Sequence, residues 1–171
     1  MKTPAKRHPS PRKGLLVIGI GNAFREDDGI GPYVVRQLLQ RGLSGVTAIV
    51  HPGDGGALIS LWEGWDKVVI VDAMTSGGSP GAIRSFHAHK EAIPAAWFRG
   101  STHQFHVGEA VELARTLGRL PRFVMVYGIE GKTFSPGQGL TPEVARAGDR
   151  VAEEIAEMGI RHERPYDTVM K

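Results

Sequence analysis

The sequence predicts a single α/β domain of three layers, with a mostly parallel, twisted sheet covered by helices on both faces. Short, almost wholly apolar runs are typical of strands buried on both faces, and they alternate along the chain with segments of helical periodicity. Such alternation favours parallel pairing with right-handed connections. The 171 residues, 41% of them hydrophobic, suffice for one core.

The first predicted strand is the apolar run from Leu15 to Gly21. Apolar residues at helical spacing predict a helix from Ile30 to Leu39, and Gly42 is expected to end it. Val46 to Val50 is predicted to form a second, short strand.

The middle of the chain continues the alternation. The glycine-rich residues 53–56 are expected to form a flexible loop, followed by a short helix from Leu58 to Trp62. The third strand is predicted from Lys67 to Asp72 and is apolar until its last residue. A glycine-rich turn at residues 77–81 leads to the alternating residues Ala82 to His87, which predict an edge strand.

The last third of the chain is predicted to contribute one strand and two helices. Residues 88–102 are irregular, and His103 is expected to open a helix that ends near Leu117. Phe123 to Tyr127 predicts a strand, and Gly128 to Gly139 a long loop. Thr-Pro-Glu at residues 141–143 is typical of a helix start, and this helix is expected to end at Gly159.

Composition limits the classes of function. Residues 1–13 hold five basic side chains and no acid, and we predict a flexible, solvated tail; residues 161–171 predict a second, loose tail around the domain at 14–160. The formal net charge is +3, cysteine is absent, and no apolar run approaches the roughly 18 residues of a membrane span. We therefore expect a monomeric cytoplasmic protein that binds neither nucleic acid nor a membrane.

Three consecutive acids, Glu26, Asp27 and Asp28, follow the glycine turn after the first strand. Adjacent carboxylates repel one another, so this cluster favours a shared proton or a cation. Ligands of doubly wound sheets bind beyond the carboxyl ends of the strands, where the strand order reverses. If the second and third strands flank the first, the crevice opens beside Asp28 and Asp72.

Asp28, Asp72 and His103 provide two oxygen donors and one nitrogen donor that this topology is expected to bring together. The set suits divalent ions such as zinc, nickel and manganese, and three protein ligands leave positions open for water or substrate. Each residue also has a structural alternative. Asp27 or Asp28 could cap the following helix, Asp72 could bind a neighbouring loop, and His103 and His106 could be ordinary surface residues.

The glycine turn also allows a nucleotide-binding interpretation, because Gly19-x-Gly21 begins like a dinucleotide-binding loop. The third glycine of that pattern falls at Phe24, and His51 stands where an acid would end the second strand. The acids at residues 26–28 would repel a pyrophosphate. Nucleotide binding is therefore disfavoured, and no P-loop or H-E-x-x-H motif is present.

Several motifs, taken in order, resemble those of the hydrogenase maturation endopeptidases, which trim the C-terminal extension of the large subunit of nickel–iron hydrogenases. The most specific match is residues 19–22, Gly-Ile-Gly-Asn, followed by Arg-Glu-Asp-Asp-Gly-Ile-Gly at residues 25–31. Weaker matches lie at residues 53–56, 69–73, 103–104 and 139–144. The resemblance therefore covers roughly residues 15 to 159.

The resemblance implies roles for individual residues. Asp28, Asp72 and His103 would be metal ligands, and Asp28 and Asp72 would be catalytic. The metal would be nickel already carried by the hydrogenase large-subunit precursor, the expected partner, although zinc or another divalent ion could occupy the site.

The glycine loop is associated with substrate selection in the family, so it is expected to bind substrate here. Its residues are Gly53, Asp54, Gly55 and Gly56. Asp54 stands where family members often have threonine, and it could also be a simple turn residue.

The implied mechanism is a single cut made after nickel insertion, with the site checking that the metal is in place. The attacking water could be activated by the metal or by a carboxylate base such as Asp28 or Asp27. Two other functions stay open on the sequence. One is a non-catalytic, metal-binding accessory protein for hydrogenase assembly, and the other is a metal-dependent hydrolase of small molecules.

Overall fold

A computed structural model describes residue 12 and residues 14–98 and 106–163, with side chains described as far as residue 160. In this part of the chain the strands are β1 (Leu15–Ile20), β2 (Val46–His51), β3 (Lys67–Met74), β4 (Ile83–His87) and β5 (Phe123–Glu130). The α-helices are α1 (Ile30–Arg41), α2 (Gly55–Leu61), α3 (Val107–Thr116) and α4 (Pro142–Glu163). Short 3-10 helices span Glu26–Gly29 and Ala95–Trp97.

The strands form one sheet in the order β2-β1-β3-β5-β4. The first four strands in this order are parallel, and β4 pairs antiparallel with β5 at the edge. The predicted mostly parallel α/β sheet is therefore confirmed. Because β2 and β3 lie on opposite sides of β1, the strand order reverses between β1 and β3, which meets the condition stated for a crevice beside Asp28 and Asp72.

Helices cover both faces of the sheet. On one face α2 and α3 pack on β1 and β3, with Leu58 and Val111 in the same apolar cluster as Ile18. On the other face α1 and α4 pack with Val17 of β1 and with neighbouring strands. The side chains of β1 alternate between two covered faces of the sheet, which explains why this strand is continuously apolar. Each fully buried aliphatic side chain stabilises the folded state by about 1.5–3 kcal/mol.

Glycines allow β1 and α1 to approach closely. A Cβ atom added to Gly19 would overlap the Gly31 carbonyl group, and one added to Gly31 would overlap the backbone of Ile20. Gly21 has a φ of 130°, and a Cβ there would overlap the Asp28 carbonyl oxygen. The glycine turn therefore holds Asp28 directly above the carboxyl end of β1.

Two predicted boundaries differ from the structure near the site. The region predicted as a loop at residues 53–56 becomes helical at Gly55, because Asp54 caps α2. The helix expected to open at His103 begins at Val107, with His106 as its N-cap, and His103 itself lies outside the described residues.

Two further boundaries were predicted too early because a glycine was taken as a stop signal. β5 continues through Gly128 to Glu130. α4 continues past Gly159 and past the predicted domain boundary at residue 160 to Glu163. Gly159 is buried where an added Cβ would lie 2.5 Å from Val46 Cγ2, so its small size serves packing of α4 against β2.

Arg12 is the one residue of the predicted basic tail, residues 1–13, that the structure describes. The Arg12 backbone N–H donates to the Gly64 carbonyl at 2.7 Å, and its guanidinium carbon lies 5.7 Å from the centroid of the Trp65 ring. Residues 1–11, 13 and 164–171 lie outside the described residues. None of the helices that the structure describes combines the length and hydropathy needed to cross a bilayer.

Candidate functional site

A crevice opens at the carboxyl ends of β1 and β3, where the strand order reverses. It encloses about 20 Å³, enough for one water-sized group. It is lined by Ile20, Gly21, Asp28, Pro52, Gly53, Asp72, Phe98, His106 and Val107. Two of the acids predicted as site residues, Asp28 and Asp72, line this crevice.

Asp28 reaches the crevice from the 3-10 helix that precedes α1, and it is 4% exposed. Its Oδ2 accepts a hydrogen bond from the Asn22 backbone N–H at 3.0 Å. Burial raises the pKa of Asp28, and the Asn22 hydrogen bond and the nearby Arg25 guanidinium oppose this rise. The N-cap of α1 is Gly29, without a side-chain cap, so the alternative that Asp28 caps α1 is wrong.

Asp72 enters the crevice from β3, two residues before that strand ends and opposite Gly128 of β5. Burial and the neighbouring Asp28 carboxylate raise the pKa of Asp72 to about 8, against a backbone hydrogen bond from Ala73. That bond comes from β3 itself rather than from a neighbouring loop. At neutral pH Asp72 is therefore mostly protonated.

The two carboxyl groups have the chemistry of an incomplete cation site. Their mutual repulsion and burial would be relieved by a proton or by a divalent ion, which carboxylate oxygens bind readily. Among the described residues, no group of three or more His, Asp and Glu side chains is arranged to hold a metal. The third predicted ligand, His103, lies outside the described residues.

A second histidine, His106, lines the crevice beside the two acids and was not chosen from the sequence as a site residue. It directly precedes α3, and its backbone N–H donates to Glu109 Oε2 at 3.0 Å. The available signal was its position three residues after His103, nearly one helical turn away. Its imidazole is a donor that suits the same divalent ions.

Asp27 has a different role from its neighbour Asp28. Its side chain is fully buried and accepts backbone N–H groups of Lys132 at 2.9 Å, Thr133 at 3.1 Å and Thr141 at 2.7 Å. The Thr141 hydroxyl also lies 3.1 Å from each carboxylate oxygen. Asp27 therefore holds the segment before α4 rather than capping α1, and its surroundings do not suit a general base.

A further buried carboxylate, Glu130, was missed because it falls in the predicted loop after Gly128. Its exposure is 2%, and it accepts backbone N–H groups of Ser76, Gly77 and Gly78 at 3.0–3.2 Å. The Ser76 hydroxyl donates to Glu130 Oε2 at 2.7 Å. Glu130 therefore fixes the loop that follows β3 and so supports the strand that carries Asp72.

The predicted substrate loop is only partly at the crevice. Gly53 lines it, with a φ of 98°, and its N–H donates to His51 Nδ1 at 3.0 Å. Asp54 is exposed and caps α2 by accepting the Gly56 N–H at 3.0 Å. Gly55 and Gly56 lie in the first turn of α2. The geometry thus places Gly53, but not the Asp54 carboxylate, beside the two acids.

The raised pKa of Asp72 predicts a pH dependence of stability. A carboxyl group whose pKa is higher in the folded state binds more protons there than in the unfolded chain, so its contribution to stability falls as the pH rises from about 4 to about 8. The Asp72→Asn variant has no carboxyl group to ionise at this position, so it does not lose stability in this way as the pH rises. We expect it to raise the free energy of unfolding at pH 8 by about 2–4 kcal/mol, and by less than about 1 kcal/mol at pH 4.

Urea unfolding of both proteins between pH 4 and pH 9 measures this difference. An unchanged pH dependence in the variant would contradict the assignment of a raised pKa to Asp72.

The doubly wound sheet carries a pair of acids at the place where its strand order reverses. These two features define a class of single-domain α/β proteins with a small, oxygen-rich polar site at the carboxyl edge of the sheet. Residues 32–158 match the family model described as hydrogenase maturation protease. This match spans most of the chain, and the chain therefore belongs to the hydrogenase maturation protease family and is a hydrolase of the endopeptidase type.

Individual relatives and solved structures agree with this assignment. A putative hydrogenase maturation protease of Methanocaldococcus jannaschii is 31% identical, over 84% of this chain and 95% of the relative. The hydrogenase 2 maturation protease of Escherichia coli is 28% identical, over 82% of this chain and 87% of the relative.

Two solved structures share the fold. The hydrogenase maturating endopeptidase HybD of E. coli has a TM-score of 0.71 at 25% identity, over 88% of this chain and 94% of its own. The [NiFe] hydrogenase maturation protease HybD of Thermococcus kodakarensis has a TM-score of 0.64 at 28% identity, over 85% and 97% of the two chains.

Proposed function

We propose that this protease removes the C-terminal extension of a nickel–iron hydrogenase large-subunit precursor after nickel has been inserted. Nickel is part of the substrate in this account, because it arrives already bound to the precursor. The observation that carries the proposal is the pair of buried acids, Asp28 and Asp72, at a crevice with about 20 Å³ of space.

The crevice suits recognition of one ion better than recognition of a side chain. Its volume corresponds to one water-sized group, and its two carboxyl groups offer oxygen donors to a divalent cation. A cation would replace the proton on Asp72, since metal binding to an ionisable ligand releases its proton. A precursor without nickel would lack the charge that compensates these acids, so it would bind less well.

The residues have separate roles in this proposal. Asp28 and Asp72 bind the nickel of the precursor, with His103 as the third ligand implied by the family. A water next to the metal could lose its proton to Asp28, whose backbone hydrogen bond from Asn22 holds it in place. Asp27 has no catalytic role in this proposal, because its carboxylate accepts the backbone N–H groups of Lys132, Thr133 and Thr141.

Mass measurement of a large subunit tests the cleavage itself. The large-subunit precursor from the same genome is co-expressed in nickel-supplied cells with this chain, without it, or with Asp72→Asn. We expect the subunit to lose the mass of its C-terminal extension only with the unaltered chain. Full-length subunit in all three samples would contradict the proposed function.

A further inference from the structure

We propose that the outer edge of β2 binds an extended segment of the precursor, next to its cleavage site, as an additional strand of the sheet. This inference rests on the proposed function and adds how the polypeptide substrate is held. The crevice has room for one small group, so the peptide chain around the scissile bond needs a binding surface outside it.

The backbone of β2 presents regularly spaced donors and acceptors on its outer side. Leu15 N–H donates to the Gly45 carbonyl at 2.8 Å, and Gly21 N–H donates to the His51 carbonyl at 3.3 Å. Since backbone direction alternates along a strand, the odd-numbered residues of β2 face β1. The N–H and C=O groups of Val46, Ala48 and Val50 therefore point away from the sheet.

This edge lacks the features that usually block pairing. β2 contains no lysine, no proline and no charged side chain, and most of its residues are β-branched. Val50, at its carboxyl end, is 53% exposed. Within the described part of the chain, β2 pairs only with β1, and no other backbone hydrogen bond uses Val46, Ala48 or Val50.

The edge leads directly to the crevice. β2 ends at His51, and the next two residues, Pro52 and Gly53, line the crevice with Asp28 and Asp72. The hydrogen bond from Gly53 N–H to His51 Nδ1 fixes this connection. A peptide paired along β2, at about 3.3 Å per residue, would therefore bring its end to the two acids.

The opposite edge of the sheet offers an internal comparison. β4 is separated from the crevice by β5. The Ala88 N–H donates to the Val124 carbonyl, which indicates that the N–H and C=O groups of the even-numbered residues of β4 point toward β5. Ser85 therefore points its N–H outward, as Ala48 does on β2. The neighbouring outward N–H of His87 already donates to Glu91 Oε1 at 3.1 Å.

Strand addition accounts for binding of a polypeptide without a deep side-chain pocket. The main-chain hydrogen bonds supply affinity, and exposed side chains such as Val50 contribute contacts. The nickel site would then decide whether a bound precursor is cut.

Amide hydrogen exchange measured by NMR tests the pairing, with a synthetic peptide that spans the cleavage site of the precursor as the probe. We expect exchange at Val46, Ala48 and Val50 to slow at least about tenfold with peptide. The amides of Thr47 and Ile49, already bonded to β1, serve as internal controls and should not change. Peptide binding without added protection at the even-numbered residues would overturn the inference.

A pair of variants tests the same edge by kinetics on the nickel-loaded precursor. Ala48→Pro removes one outward N–H at a position that an edge strand tolerates, and Ser85→Pro is the matched change on β4. We expect Ala48→Pro to raise KM about tenfold with kcat within about twofold, and Ser85→Pro to leave both unchanged. Equal kinetics for the two variants would overturn the inference.

The outcomes separate the two proposals. Normal cleavage without amide protection on β2 overturns strand addition and leaves the proposed function intact. A precursor that is neither bound nor cut by the unaltered chain overturns both. If Ala48→Pro does not fold, the exchange measurement on the unaltered chain decides.

Discussion

Asp27→Asn is expected to lower the free energy of unfolding by about 3 kcal/mol, which corresponds to a fall in Tm of about 6–12 °C for a domain of this size. The Asp27 carboxylate accepts N–H groups from Lys132, Thr133 and Thr141 and contacts the Thr141 hydroxyl, all inside the protein. An amide at this position turns an N–H group toward these donors and leaves some of them without an acceptor.

Thermal and urea unfolding, followed by circular dichroism, measure the effect of Asp27→Asn. Asp54→Asn is the matched control, because Asp54 is an exposed helix cap and asparagine caps equally well; its effect should stay within about 0.5 kcal/mol. If Asp27→Asn unfolds within about 1 kcal/mol of the unaltered chain, the structural role of Asp27 is wrong.

Asp72→Asn is expected to slow processing of nickel-loaded precursor at least about 100-fold, because loss of one charge-stabilising group from a preorganised site typically has an effect of this size. Asparagine keeps the shape of the side chain but cannot become a carboxylate when the metal enters. Single-turnover conversion, followed by mass spectrometry, measures the rate.

Asp66→Asn is the control for this prediction. Asp66 directly precedes β3, so it lies at the amino end of this strand, whereas the crevice lies at the carboxyl end. Its side chain forms an ion pair with Arg122 on the surface, at 3.9 Å. It should process precursor normally. Because Asp72→Asn is expected to be more stable at pH 8, loss of its activity would not reflect unfolding. Normal processing by Asp72→Asn would remove Asp72 from the site.

The mostly parallel sheet and the edge at which Asp28 and Asp72 lie could be predicted, because they depend on patterns that a sequence displays directly. The apolar run of β3 ends at a single acid, Asp72, and parallel strands bring their carboxyl ends to one edge. The position of Asp28 was predictable from the glycine turn before it. These inferences need only periodicity and topology, which do not depend on side-chain detail.

The different roles of Asp27 and Asp28 could not be predicted from the sequence. Adjacent residues of a 3-10 helix point about 120° apart, and only the tertiary structure determines which of them faces the crevice at the end of the sheet. Asp27 finds its partners more than 100 residues along the chain, at Lys132, Thr133 and Thr141. No local sequence pattern predicts contacts between residues so far apart in the chain.

Glycine signals were misleading for a related reason. Gly128 was taken as the start of a loop, but a Cβ there would lie 2.7 Å from Met74 Sδ and 3.0 Å from the Phe98 ring. The glycine therefore makes space for packing inside β5 and does not end the strand. A sequence does not distinguish a glycine needed for conformation from one needed for close packing.

We propose that Asp28 and Asp72 recognise nickel in the precursor before cleavage. The most direct test compares the cleavage of nickel-loaded and nickel-free precursor by the unaltered chain, under the same conditions and with mass spectrometry as the readout. We expect only the nickel-loaded precursor to be shortened. Cleavage of both forms at the same rate would contradict it.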